Sequence, residues 1–197
     1  MTNHFWWYTA RSSGIVALAL LGASVLWGLA LSTKVLRGKP RPNWILDLHR
    51  FLGGLALIFV GIHLVGLFLD GFFKFTLAEL LVPGVMKYHP VAAAWGVVAF
   101  YLLIAVELTS LARRRLSRKM WRTTHYLSFP LFVLSVVHSS WIGTDRHNPL
   151  MRWGVIALVL VVAGLTFERI RKADHHDLLT SPSIGAATRV RREPVDQ

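Results

Sequence analysis

The sequence predicts an all-α polytopic membrane protein, a bundle of five or six membrane-crossing helices. Three observations carry that prediction. The 197 residues are 54% hydrophobic and only 16% charged. Soluble domains hold about 25% charged residues, so a soluble core of this length cannot hide so many apolar side chains. The apolar residues fall in five runs, each about as long as the 20 residues a helix needs to cross a bilayer. The basic residues cluster between these runs, so the net charge of +12 reads as a membrane-orientation signal and not as a nucleic-acid surface.

Taken in order, residues 1–11 (MTNHFWWYTAR) hold Phe5, Trp6, Trp7 and Tyr8, which suit an interfacial aromatic belt. Ser12–Thr33 is the first span. It is too long for a signal-peptide core and its positive charges follow it, so it reads as a retained helix. A basic loop with Lys34, Arg37, Lys39 and Arg41 leads to the second span, Trp44–Leu69. Phe72–Leu81 reads as a short amphipathic surface helix ended by Pro83-Gly84. The third span is Val91–Leu111. Arg113, Arg114, Arg115, Arg118, Lys119 and Arg122 then form a strongly basic loop that overlaps the start of the fourth span, Met120–Ile142. The fifth span is Met151–Ile170. Residues 1–172 are thus expected to form one transmembrane domain. Residues 173–197, polar and without apolar periodicity, are expected to be a largely disordered tail.

Charge fixes the expected orientation. The first loop, the third loop and the tail from Arg169 carry sixteen Lys and Arg residues, against five on the opposite side. The positive-inside rule then puts the N-terminus outside the cell membrane and the C-terminus in the cytoplasm. Spans two and four run parallel, and each carries two histidines. His49 and His63 are fourteen residues apart, a rise of about 21 Å with the rings within roughly 40° of one face. His125 and His138 are thirteen apart. Topology and spacing therefore set His49 level with His125 on the cytoplasmic side, and His63 level with His138 on the outer side.

A neutral imidazole at bilayer depth needs a partner or costs several kcal/mol. Hydrogen bonds to neighbouring helices would satisfy one such ring. Four rings paired by depth point instead to axial ligands of two stacked b-type haems. The absence of cysteine excludes thiolate-ligated haem, the covalent c-type attachment, cysteine-ligated iron–sulfur clusters and disulfides. A directly bound metal needs more protein ligands close together than the sequence clusters. Gly53 and Gly54, one turn after His49, and Gly61, before His63, allow a macrocycle to approach, or serve ordinary helix packing. Arg50 and Arg122 suit the inner haem propionates and Arg146 the outer ones, with snorkelling to lipid phosphate as the alternative. Glu107 suits an ion pair with Arg50 or the basic loop, or a proton relay. Tyr88, His89, Trp141, Arg146 and His147 lie near the outer level, as an acceptor site or as solvated loop residues. His175 and His176 read as solvated. On an ideal helix His125 and His138 point about 140° apart, and Pro130 between them is placed to bend or rephase that helix.

The two histidine pairs, fourteen and thirteen residues apart on two spans, resemble the ferric reductase-like transmembrane domain. That family includes NADPH oxidases, ferric reductases and the bacterial haem membrane subunit of the methionine sulfoxide reductase system. The resemblance covers roughly residues 12–172. It implies six spans and two bis-histidine haems carrying electrons across the membrane, with His49, His125, His63 and His138 as the iron ligands. No G-x-G-x-x-G or strand–helix–strand unit follows Lys172. The expectation is therefore an oxidoreductase component without its own flavin or nicotinamide domain. Its donor is expected to be a separate cytoplasmic flavoprotein docking on Arg113–Arg122, or a quinol in the bilayer. Its acceptor is an extracytoplasmic protein or small oxidant. The alternatives are a quinol-linked cytochrome b subunit and a haem-free membrane scaffold or transporter.

Overall fold

The computed structural model describes residues 4–32, 43–143, 145 and 147–180, with residue 43 and residues 172–180 described by backbone alone. The described chain runs α1 (Phe5–Ser32), α2 (Asn43–Leu69), α3 (Leu77–Leu81), α4 (Pro90–Leu111), α5 (Arg118–Tyr126), α6 (Ser128–Ile142) and α7 (Pro149–Thr180), with a 3₁₀ turn at Ala112–Arg115. Four helical segments are long and apolar enough to cross a membrane: Phe5–Ser32, Trp44–Leu69, Pro90–Arg115 and Pro149–Arg171.

These helices are apolar nearly all round, as lipid-facing helices must be. On α2, Phe51, Ile58 and Val65 recur every seventh residue and are exposed, which makes a stripe for lipid. The opposite side of α2 carries Ala56, fully buried against Leu21, Leu103, Leu131 and Phe132 at the bundle centre. The main pairings are α1 with α2 and α4 with α6; α7 lies against α1. Among the described residues, α2 and α6 barely touch each other.

The expected fourth span is a helix pair. The segment breaks at Leu127, whose N–H bonds Thr124 O at 3.0 Å, the tighter three-residue step. Pro130 is the physical reason. It has no N–H to give the carbonyl of Tyr126, and its ring crowds that carbonyl, whereas the first turn of a new helix tolerates it. Leu131 N–H then resumes the ladder on Leu127 O at 2.9 Å. At 15 residues, α6 is about 22 Å long and needs α5 to complete a crossing of about 30 Å.

Two further expectations shift. The aromatic stretch Phe5–Tyr8 is the first turn of α1 and not a separate element. Only Leu77–Leu81 of the expected Phe72–Leu81 helix forms. Asp70 Oδ2 accepts the Phe73 N–H at 3.0 Å and holds a turn there, while Thr76 and Glu79 make a reciprocal capping box that starts the helix at Leu77. Among the described residues no sixth crossing helix appears. Helix α7 continues to Thr180, past the expected boundary at residue 172. The remainder of the expected tail, residues 181–197, and the loop with Lys34, Arg37, Lys39 and Arg41 lie outside the described residues.

Candidate functional site

The four histidines stand in two layers. In one, His49 of α2 and His125 of α5 face each other with ring centres 6.0 Å apart and planes at 79°. Two imidazoles trans on one metal, each bonded at about 2.0–2.1 Å, have ring centres about 6 Å apart. In the other layer His63 of α2 and His138 of α6 line one cavity of about 670 Å³, within the range of about 300–1,000 Å³ typical of organic ligand and cofactor sites. Among the described residues no three His, Cys, Asp or Glu side chains converge as a metal site. Each layer offers two imidazoles between helices that barely touch, which fits a porphyrin whose own nitrogens supply the other four ligands.

Three of the rings are held by their Nδ1 atoms. His63 Nδ1 donates to Ala10 O at 2.7 Å, His49 Nδ1 to Ser24 O at 2.9 Å, and His138 Nδ1 to Ala92 O at 2.8 Å. Ser24 Oγ also lies 3.2 Å from His49 Nδ1. A backbone carbonyl can only accept, so the Nδ1–H tautomer is set and Nε2 keeps its lone pair for a metal. Glycines of neighbouring helices make room. A Cβ on Gly14, Gly28 or Gly96 would press on the rings of His63, His49 and His138 respectively. His125 differs: it stacks on Trp121, centres 5.1 Å apart and planes at 20°, and its buried Nδ1 has no hydrogen-bond partner among the described residues. Arg113 lies 4.5 Å over the Trp121 ring.

The other residues singled out by sequence are scattered around these layers. Gly53 faces the carboxylate of Glu107, and a Cβ on Gly54 or Gly61 would meet nothing within 4 Å. Arg50 lies 3.5 Å from Asp47, both exposed, and Arg122 donates to the Tyr126 hydroxyl at 3.2 Å. Tyr88 and His147 line the cavity of the His63–His138 layer. His89 is exposed at the start of α4, edge-on to Tyr88, and Trp141 is also exposed. Arg146, His175 and His176 lie outside the residues whose side chains are described.

Sequence reasoning missed Arg11 and Arg152, which line the same cavity as cations suited to an acidic group there. Arg11 also pairs with Asp145 through both carboxylate oxygens, Nε to Oδ2 at 2.7 Å. That hydrogen bond holds the Asp145 carboxyl below its usual range. Gly14, Gly28 and Gly96 were also missed. For the first two a signal existed: they are fourteen residues apart, the same interval as the two histidines of α2 that they face.

Residues 13–136 match the family described as the ferric reductase like transmembrane component. This chain belongs to that family. Among curated proteins, the heme-binding subunit of protein-methionine-sulfoxide reductase, MsrQ, from Rhodospirillum rubrum is 29% identical over 85% of this chain and 85% of its own length. MsrQ from Herminiimonas arsenicoxydans is 29% identical over 68% of this chain, and MsrQ from Azospira oryzae 31% identical over 73%. The chain spans 62% and 60% of the lengths of those two relatives. No solved structure matches. Within the ferric reductase-like match fall His49, His63 and His125 with Gly14, Gly28 and Gly96, while His138 lies two residues beyond its end.

Proposed function

We propose that this protein carries single electrons across the cell membrane through two b-type haems, one ligated by His49 and His125 and the other by His63 and His138. The observation that carries the reading is a pair of imidazoles at each of two depths, His49 across from His125 between α2 and α5, and His63 with His138 in one cavity between α2 and α6. A haem bound there supplies reversible one-electron chemistry at a potential set by its ligands and surroundings. The protein's own part is to present Nε2 atoms in fixed tautomers, to keep water away with the apolar bundle, and to offer Arg11 and Arg152 to the acidic groups of the His63–His138 layer. Arg50 and Arg122 adjoin the other layer in sequence, Arg50 next to His49 and Arg122 three residues before His125, and Gly53 and Gly54 follow His49 by about one turn.

The orientation we infer has the N-terminus outside and the C-terminus in the cytoplasm, which puts the His49–His125 layer on the donor side. Arg113, Arg114, Arg115, Arg118, Lys119 and Arg122 are all exposed there. Such a surface suits an acidic flavoprotein that delivers electrons one at a time. The names of the MsrQ relatives support a methionine sulfoxide reductase partner as acceptor beyond the His63–His138 layer.

The test is haem quantification with a reduced-minus-oxidised spectrum on purified protein from haem-replete cells. Two haems per chain are expected, falling to one in His49→Ala or His125→Ala. A colourless preparation rejects the proposal in favour of a haem-free scaffold. Rapid reduction by a quinol analogue with no flavoprotein present moves the donor into the lipid.

A further inference from the structure

Three of the four histidine contacts share one construction. Each Nδ1 reaches a backbone carbonyl, and in each case the residue four places later is glycine: Ala10 and Gly14, Ser24 and Gly28, Ala92 and Gly96. The spacing has a physical cause. In an α-helix the carbonyl of residue i already accepts the N–H of residue i+4, and its second lone pair lies beside the side chain of that residue. With glycine at i+4 the lone pair is open from outside the helix. With any other residue the Cβ covers it: at Gly96 a Cβ would come within 2.5 Å of the His138 ring, and at Gly14 within 3.0 Å of His63 Nδ1. The requirement is steric: alanine violates it outright at Gly96, stands at the limit of contact at Gly14, and at Gly28, 3.2 Å from the His49 ring, forces that ring back by a few tenths of an ångström.

Helix α4 offers no fourth example, because no glycine follows Gly96 within it. His125 Nδ1 is the histidine nitrogen left buried without a partner among the described residues, and stacking on Trp121 restrains the ring plane but fixes no tautomer.

We propose that Gly14, Gly28 and Gly96 are positioning residues that admit the rings of His63, His49 and His138 to a carbonyl one turn earlier, and that His125, whose buried Nδ1 has no such anchor among the described residues, is the exchangeable ligand of its pair. This rests on the bis-histidine haem reading. It adds that the two centres are unequal: the His63–His138 centre holds both ligands, and the His49–His125 centre opens on the His125 side.

The experiment uses the full-length, haem-loaded protein in detergent, with carbon monoxide as the probe of an open ferrous position and the low-spin ferric EPR signal as the probe of ligand orientation. In the wild type, carbon monoxide is expected at one haem of two. Gly14→Ala or Gly96→Ala is expected to perturb the EPR signal of the second centre, weaken haem retention there by about 10–100-fold, the usual scale for losing an outer-shell partner, and admit carbon monoxide to it. Gly54→Ala and Gly61→Ala, where a methyl meets nothing, control for a glycine lost from a membrane helix. His138→Ala, which removes the haem of the other layer, is expected to leave carbon monoxide binding undiminished. Gly14→Ala and Gly96→Ala spectra indistinguishable from those of Gly54→Ala overturn the positioning role. Loss of carbon monoxide binding in His138→Ala overturns the assignment of the open position to the His49–His125 centre. A wild type without haem overturns the underlying reading instead, and that outcome is read before any variant is made.

Discussion

Replacing Pro130 with alanine isolates the bend between α5 and α6. On an ideal helix His125 and His138 point about 140° apart, whereas the two histidines of α2 that they serve lie within about 40° of one face. The break at Leu127 therefore contributes roughly 100° of rotation. Undoing that rotation at a Cα radius of about 2.3 Å moves the His125 backbone by about 3.5 Å. Metal ligation tolerates about 0.2 Å. Alanine restores the N–H for Tyr126 O and removes the ring clash, which together favour a continuous helix by about 3 kcal/mol, or some hundredfold. Pro130→Ala should therefore lose the haem of the His49–His125 layer and keep that of the His63–His138 layer. Haem per chain by pyridine haemochrome should fall from two to one, with the EPR signal of the retained centre unchanged. Two haems at full occupancy with an unaltered spectrum would refute the claim that Pro130 sets the ring positions.

Other outcomes follow from the same geometry. His138→Ala should remove the haem of the cavity layer and spare the other, so that the residual spectrum complements that of His125→Ala. Replacing Arg114, Arg115, Arg118 and Lys119 with glutamate should slow reduction by an acidic flavoprotein at least tenfold at low salt, converge with the wild type at high salt, and leave haem content intact; a salt-independent loss would point away from electrostatic docking. Asp145, with its carboxyl held low by Arg11, contributes stability that is fully present above the ordinary carboxylate range and is lost as pH falls through the depressed value. Asp145→Asn should thus lower thermal stability modestly at neutral pH, by about 1 kcal/mol for a pair with Arg11 38% and Asp145 14% exposed, and should flatten the acid limb of the stability profile.

The spans and the histidine layers were legible because both depend on one-dimensional quantities. Hydropathy over about 20 residues finds a crossing helix, and fourteen residues bring a helix face nearly back on itself. The helix break was legible in part: Pro130 announced a disturbance, but its site three residues earlier depends on which hydrogen bonds survive around it. The extent of the Phe72–Leu81 helix was misjudged because apolar periodicity outvoted a Thr76-x-x-Glu79 capping box that marks the true start. The glycines against the rings were hidden for a different reason. Gly53 and Gly54 stood out by nearness in sequence to His49, yet the glycines that touch histidines lie on facing helices, where pairing is set by tertiary packing. Arg11 and Arg152 were hidden likewise, on α1 and α7, helices far apart in sequence that the fold packs together.

The hydrogen bonds from His49 to Ser24 and from His63 to Ala10 both run within the α1–α2 hairpin. During synthesis α1 and α2 are polymerised before α4, α5 and α6. One imidazole of each layer is therefore aimed while the rest of the chain is still being made, and the later helices close upon a half already in register. Assembly of the two histidine layers is ordered by the chain itself, from a templating helix pair to the helices that complete it.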